Sequence, residues 1–121
     1  MARKDELGRR GEELAARYLQ GQGYRVLDRN WRCRIGEIDL VIERAGALAV
    51  VEVKTRSSIA FGHPFEAITP AKAARLRRLT AQWCQQNDVG PRAIRVDAVA
   101  VLAAPGAGDD EVAIEHLIGI C

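Results

Sequence analysis

Two carboxylates and a lysine interrupt the apolar segment GEIDLVIERAGALAVVEVK, which covers residues 36–54. Asp39, Glu52 and Lys54 stand among Val, Ile, Leu and Ala residues of the kind that fill core strands. Two carboxylates with Cβ atoms about 5 Å apart repel by roughly 3 kcal/mol at an effective dielectric constant of about 20. A shared proton or a divalent cation would offset this repulsion, and oxygen ligands suit Mg²⁺ or Mn²⁺. The alternative is that the charges point into water, and spacing alone leaves both interpretations open.

The turn at residues 44–47 determines which side chains of the two strands meet. A tight turn there, with a glycine available for positive φ, places Asp39 opposite Glu52 and Glu37 opposite Lys54. Because side chains alternate along a strand, these four lie on one face. The other face then carries apolar side chains, which are Ile38, Leu40 and Ile42.

Lys54 allows two roles at this stage. Beside a metal, its ammonium group would lower the pKa of an attacking water or neutralise the growing charge of a phosphoryl group. The alternative is that Lys54 only completes a cross-strand ion pair with Glu37.

A helical pattern over residues 4–22 supplies a third carboxylate. Its apolar stripe leaves Glu12 on the flank that faces the sheet, whereas Glu13 points away, where it would pair with Arg9 and Arg17 in solvent. Glu12 is therefore the third candidate acid of the site.

Basic residues form two groups around these acids. A second predicted helix, capped by Thr69 and running to about residue 87, carries cations three residues apart: Lys72, Arg75 and Arg78. Three more cations stand close to the acids in sequence: Arg32, Arg34 and Arg56. Residues 1–96 carry a net charge of +7 and residues 97–121 carry −5. This asymmetry is typical of a protein that binds a polyanion such as nucleic acid, and a solvated basic surface is the alternative.

Length and composition limit the other classes of function. The 121 residues, 48% hydrophobic and 28% charged, predict one domain over residues 1–121. No apolar run approaches the roughly 20 residues that span a bilayer, and the basic N-terminus lacks a secretory pattern, so we expect a cytoplasmic protein without a membrane partner. The three cysteines are scattered, and neither histidine has ligand spacing, so zinc and covalent catalysis are not indicated. These residues are Cys33, Cys84, Cys121, His63 and His116.

The order of predicted elements is α-β-β-β-α-β-β. Strands are predicted over residues 24–31, 37–43, 48–55 and 93–103, with an edge strand within 111–120. Together with the two helices they predict an α/β fold, a mixed β-sheet flanked by helices.

Several short motifs resemble those of the bacterial YraN family over about residues 8–102. They are GEELA (11–15), GY (23–24), NWR (30–32), GEIDLV (36–41), VEVKTR (51–56), FGHPFEAI (61–68) and KAARL (72–76). That family is similar to archaeal Holliday-junction resolvases and to the restriction-endonuclease-like PD-(D/E)xK superfamily. The proline of the superfamily motif is replaced by Ile38, a position that commonly varies. Residues 103–121 lie outside the resemblance, as a C-terminal extension.

The resemblance implies roles for individual residues. Asp39 corresponds to the motif aspartate, Glu52 to the second acid and Lys54 to the motif lysine. Glu12 corresponds to the helix acid that resolvases use beside the metal, and Glu66 is singled out without an assigned role.

The function implied is an endonuclease that hydrolyses phosphodiester bonds in DNA, including branched DNA, with Mg²⁺ or Mn²⁺. The alternatives are a non-catalytic nucleic-acid-binding module of the same fold and a scaffold without a nucleic-acid partner. A homodimer is expected by analogy with resolvases, and the apolar C-terminal strand HLIGIC is a candidate contact.

Overall fold

The computed structural model describes residues 3–60, 62–90 and 93–120, so Phe61 of the FGHPFEAI motif and Cys121 lie outside the described residues. The elements follow the predicted order α-β-β-β-α-β-β. Their bounds are α1 Arg3–Gly21, β1 Arg25–Cys33, β2 Gly36–Arg44, β3 Ala47–Arg56, α2 Pro70–Gln86, β4 Ile94–Leu102 and β5 Ala113–Leu117. The α/β prediction is therefore confirmed, with β5 shorter than the predicted edge strand.

The five strands form one mixed sheet in the order β1-β2-β3-β4-β5. The pairs β1–β2, β2–β3 and β4–β5 are antiparallel, while β3 and β4 are parallel. A parallel pair needs a crossover connection, and α2 provides it.

Each helix covers one face of the sheet. On one face, α1 buries Ala15, Ala16 and Leu19 against a cluster that includes Leu40 and Val51. On the other face, the apolar stripe of α2 packs on a second cluster, and all four residues predicted for that stripe are buried: Ala73, Leu76, Leu79 and Trp83. α2 begins as predicted, because the Thr69 side chain accepts a hydrogen bond from the Lys72 backbone N–H and Pro70 occupies the first turn.

The hairpin between β2 and β3 has the predicted register. Its ladder runs from the Arg44–Ala47 pair to the Leu40–Val51 pair. Ala45 and Gly46 both have positive φ, 52° and 81°, the combination that a two-residue hairpin turn of the favoured twist requires. The ladder ends just before Asp39 and Glu52, so the strands begin to separate where the two acids stand.

The predicted alternation fails at Asp39. Ile38 packs in the α2 cluster, while Leu40 and Ile42 pack in the α1 cluster, so the three do not share a face as predicted. The β1–β2 ladder pairs Arg29 with Leu40 and Trp31 with Ile38, and the residue between them on β1, Asn30, has a φ of 51°. A left-handed residue at this point breaks the regular pleat, and Asp39 lies at the irregularity.

Neither helix in the described part of the chain has the combination of length and apolar character that crossing a bilayer requires.

Candidate metal centre

A depression of about 370 Å³ opens where β2 and β3 separate, between α1 and the start of α2. We call it the acidic depression. Four carboxylates and three cations line it: Glu12, Glu37, Asp39, Glu52, Lys54, Lys72 and Arg75. Three apolar side chains complete its wall: Val53, Leu76 and Leu79. Residues from four elements, remote in sequence, thus meet in one place, including all four residues to which the resemblance gives a role.

Asp39 is more deeply enclosed than Glu12. Its Oδ2 accepts a hydrogen bond of 2.8 Å from the Val53 backbone N–H. Val53 lies beyond Leu40–Val51, the last β2–β3 pair, so a side-chain carboxylate rather than a β2 backbone carbonyl accepts this hydrogen bond. Burial is the main cause that raises the pKa of Asp39 to about 8, and the negative charges of Glu52, Glu12 and Glu37 add to it. The Val53 hydrogen bond opposes the rise without cancelling it.

α1 positions Glu12 because it lies unusually close to β3. A Cβ atom at Gly11 would lie 1.9 Å from the Thr55 Oγ1 atom, so only glycine permits this approach. Burial, followed by the charge of Glu37, raises the pKa of Glu12, while the Asn30 side chain hydrogen bonds to it and lowers the pKa in part. Asn30 was not predicted as a site residue, and its left-handed backbone left no signal beyond the tolerance of Asn for that conformation.

Glu13 lies away from the acidic depression, as predicted. Its carboxylate pairs with Arg17 at 3.0 Å, as expected, and with Arg29 of β1 at 2.7 Å rather than with Arg9.

The structure contradicts the alternative in which Lys54 completes an ion pair with Glu37. The Lys54 Nζ atom lies 3.1 Å from Oε2 of Glu52, its neighbour two residues away on β3, and both side chains are about one-fifth exposed. Glu37 instead pairs with Arg32, its cross-strand partner on β1, at 3.2 Å. The reason is the divergence of β2 from β3, which takes Glu37 away from Lys54 and leaves β1 as its neighbour.

The six basic residues predicted to bind nucleic acid separate into three groups: two line the acidic depression, two lie away from it and two adjoin it. Lys72 and Arg75 line the acidic depression, whereas Arg34 and Arg78 are exposed and do not line it. The neighbouring charge of Lys54 is the main cause that lowers the pKa of Lys72, so the two ammonium groups stand side by side.

Two arginines of the predicted basic set adjoin the site instead. Arg32 forms an ion pair with Glu37, and Arg56 lines a neighbouring depression together with Glu12 and Lys54.

Glu66 has a different setting from the other acids. Its carboxylate accepts a hydrogen bond of 2.9 Å from the His63 backbone N–H and closes a capping box at the short 3₁₀ helix Pro64–Ala67. This contact shapes the loop before α2, and Glu66 does not line the acidic depression.

The donor chemistry fits a small hard cation held by few protein ligands. Among the described residues, no three His, Cys, Asp or Glu side chains form a ready-made metal group. Mg²⁺ typically takes only one or two carboxylates and completes its shell with water and substrate phosphates. Asp39 and Glu52, with Glu12 beside them, meet that smaller requirement.

Sequence comparison places this α/β protein, with its acidic depression at the divergence of two central strands, in a family. A sequence model of the Uncharacterised protein family UPF0102 matches residues 11–101. A UPF0102 protein of Leifsonia xyli subsp. xyli is 55% identical over 120 residues, and one of Arthrobacter sp. is 56% identical over 120 residues, with 99% of both chains covered in each case. A UPF0102 protein of Paenarthrobacter aurescens is 50% identical over 121 residues, which cover 100% of this chain and 98% of that relative. The chain belongs to the UPF0102 family, as the resemblance to the YraN family predicted.

Proposed function

We propose that this protein is a Mg²⁺- or Mn²⁺-dependent endonuclease that hydrolyses phosphodiester bonds in DNA, branched DNA included. The observation that carries the proposal is the convergence of Asp39, Glu52, Glu12 and Lys54 in one depression, with Asp39 forced out of its ordinary ionisation range. A fold without a ligand at this place has no evident reason to gather four carboxylates, whose negative charges raise the pKa of both Asp39 and Glu12.

The charge balance of the acidic depression supports a metal and a phosphate together. Four carboxylates against three cationic side chains leave one formal negative charge. One divalent cation reverses this to a single positive charge, which matches the single negative charge of a phosphodiester. Without the metal, Asp39 keeps its proton below about pH 8 and the formal charge is zero, so the depression offers a phosphate no net attraction.

The residues divide the chemistry between them. Asp39 and Glu52 would hold the cation, and Glu12 would contact it through water, because no three carboxylates form a ready ligand group in the described part of the chain. A bound Mg²⁺ or Mn²⁺ supplies Lewis acidity to a phosphoryl oxygen and lowers the pKa of a water molecule. In the hydrolysis, the oxygen of water would form the new bond to phosphorus while the bond from phosphorus to the bridging oxygen breaks. The water proton would pass to solvent or to a carboxylate of the depression, and the leaving oxygen would take up a proton from solvent.

Lys54 and Lys72 act on the phosphate rather than on the metal. Lys54 is held by Glu52, whereas Lys72 has no carboxylate within ion-pair distance among the described residues. Two adjacent ammonium groups repel each other, so a phosphate between them relieves that repulsion while they neutralise the charge that grows on its oxygens.

The test compares cleavage of a four-way junction, a duplex and a single strand by the purified protein with Mg²⁺ or Mn²⁺. Asp39→Asn and Glu52→Gln should each reduce cleavage by at least about 100-fold, since each removes a carboxylate that holds the cation. Glu12→Gln should reduce it less. Glu13→Gln is the matched control, because it removes the same charge from the next residue of α1, outside the depression.

The outcomes separate the competing functions. Salt-dependent DNA binding without cutting, equal in all variants, would favour the non-catalytic binding module. Neither binding nor cutting would leave the proposal without support. Because a junction has two strands to cut, selective junction cleavage also implies two copies of the site, and light scattering of the purified protein tests the proposed homodimer.

A further inference from the structure

A second depression of about 560 Å³ adjoins the acidic depression and shares with it the side chains of Glu12, Val53 and Lys54. Its remaining wall comes from the first turns of α1 and the end of β3. We call this part the Arg56 lobe, and it is formed by Leu7, Gly8, Thr55, Arg56 and Ser57. The acids therefore lie in the middle of a longer groove, with Lys72 and Arg75 on one side and the Arg56 lobe on the other.

Gly8 has no packing reason to be glycine. Glycine destabilises a helix relative to alanine, yet a Cβ atom at Gly8 would meet no atom of another described part of the chain within 4 Å. Gly11, three residues later, is the opposite case, because Thr55 leaves no room for a side chain there. The space over Gly8 is thus open, and it lies one helical turn, about 6 Å, from Glu12 along the same face of α1.

Arg56 supplies a positive charge at the far end of this space. Its guanidinium donates a hydrogen bond to the Thr55 carbonyl and makes no carboxylate ion pair among the described residues. Alternation along β3 puts Glu52, Lys54 and Arg56 on one side of the strand, each about 7 Å from the next. That spacing places Lys54 beside the acids and Arg56 about 7 Å further along the strand.

We propose that the Arg56 lobe binds the sugar and phosphate of the nucleotide next to the phosphate that is cut. Arg56 contacts the neighbouring phosphate, Ser57 offers a hydroxyl, and the bare backbone at Gly8 leaves room for the sugar beside Leu7. The inference rests on the proposed nuclease function and adds that the substrate is a strand continuous on both sides of the cut, held at one phosphate by Lys72 and Arg75 and at another by Arg56.

The first test is the salt dependence of binding to a fluorescent single-stranded DNA in Ca²⁺, a hard cation that suits the oxygen ligands. Removing one phosphate contact lowers the slope of log K against log salt by about 0.7 for a single strand. Arg56→Gln should lower the slope by that amount. Arg77→Gln is the matched control, because it removes the same charge from an exposed residue of α2 that lines a different depression, and its slope should equal that of the wild type.

The second test fills the space over Gly8. Gly8→Leu should weaken binding of the strand about tenfold while Mn²⁺ affinity stays within about twofold of the wild type, because the side chain blocks the sugar and not the acids. Gly21→Leu introduces the same side chain at another open glycine of α1, away from the groove, and should bind the strand normally. Thermal unfolding of both variants shows whether each remains folded.

The failure of this inference differs from the failure of the proposed function. Wild-type protein that binds and cuts DNA, with Arg56→Gln and Gly8→Leu equal to their controls, would overturn the subsite alone. Wild-type protein that neither binds nor cuts DNA would overturn both. A strand that stays uncut but shows the two predicted binding defects would support the subsite as part of a binding groove.

Discussion

Asp39 is the residue at which the physical cost of the acidic depression is concentrated. The burial that raises its pKa, together with Glu52, Glu12 and Glu37 around it, opposes the charged form that a cation would need. In the metal-free protein, Asp39 avoids the unfavourable charged form by keeping its proton. A bound cation would stabilise the charged form and replace the proton. Two predictions follow from this one exchange.

The first concerns stability in the absence of metal. The native state holds the Asp39 proton up to about pH 8, whereas the unfolded chain loses it at about pH 4. The contribution of Asp39 to stability is therefore fully present below about pH 4 and is lost as the pH rises towards 8. We expect urea unfolding in EDTA to show wild-type protein less stable at pH 8 than at pH 5, by on the order of 2–4 kcal/mol. Asp39→Asn should remove most of that slope, and an unchanged slope in the variant would contradict this account.

The second concerns the metal itself. If a cation replaces the proton, Mn²⁺ binding at pH 7 should release about one proton per ion. Titration calorimetry in two buffers of different ionisation enthalpy measures the released protons directly. Asp39→Asn should release none and bind Mn²⁺ weakly, while Glu13→Gln should behave as the wild type. Tight Mn²⁺ binding by the wild type without proton release would show that Asp39 does not ligate the ion.

At the scale of the elements, the sequence predicts what depends on periodicity and misses what depends on irregularity. The two-residue period of β3 correctly places Glu52 and Lys54 on one side, and the turn after Arg44 gives the correct register. The left-handed Asn30 and the break at Asp39 have no periodic signature. The prediction that Ile38 shares a face with Leu40 and Ile42 is therefore wrong. The exchange of ion-pair partners at Glu37 follows from the same strand divergence, which only three-dimensional packing reveals.

The contact of α1 with β3 is the element-scale feature that carries Glu12 to the site. Gly11→Ala places a Cβ atom 1.9, 2.7 and 2.8 Å from the Oγ1, Cγ2 and Cβ atoms of Thr55, so α1 must move outwards. We expect a loss of about 1–3 kcal/mol of unfolding free energy, together with weaker Mn²⁺ binding because Glu12 moves with the helix. Denaturant unfolding and Mn²⁺ titration measure the two effects.

A matched pair of variants separates crowding from helix propensity at this contact. Gly8→Ala, in open space on the same helix, should be neutral or stabilising by about 0.4–1 kcal/mol. Adding Thr55→Ala to Gly11→Ala should recover part of the lost stability, since two of the three contacting atoms disappear. Gly11→Ala with wild-type stability would show that α1 does not need this close approach.

At the scale of the whole molecule, a buried ionic cluster fixes the C-terminal segment to the sheet. Asp97 of β4 is fully buried and accepts hydrogen bonds from Arg95 Nε, His116 Nε2 and the Gly119 backbone N–H at 2.8–3.1 Å. Arg95 also donates to the Tyr24 hydroxyl at 2.7 Å. The residues beyond the family match at 101 are thus joined to the same sheet. The signal in the sequence is a carboxylate within the apolar strand at 94–102, two residues after Arg95. Its partners His116 and Gly119 are distant along the chain and could not be identified from the sequence.

Removing the Asp97 carboxylate should therefore loosen the C-terminal segment. Burial alone would raise the pKa of Asp97, but the hydrogen bonds from His116, Arg95 and Gly119 outweigh it and hold the pKa below its ordinary value. Its contribution to stability is present above the ordinary carboxyl range and is lost as the pH falls below it.

Asp97→Ala leaves Arg95 without its charged partner and should cost about 3–5 kcal/mol, seen in denaturant unfolding. Hydrogen exchange should rise first in residues 113–120, whereas Asp109→Ala, at an exposed ion pair with Arg10, should change neither quantity by much. Unchanged exchange in residues 113–120 of Asp97→Ala would show that other contacts hold β5 in place.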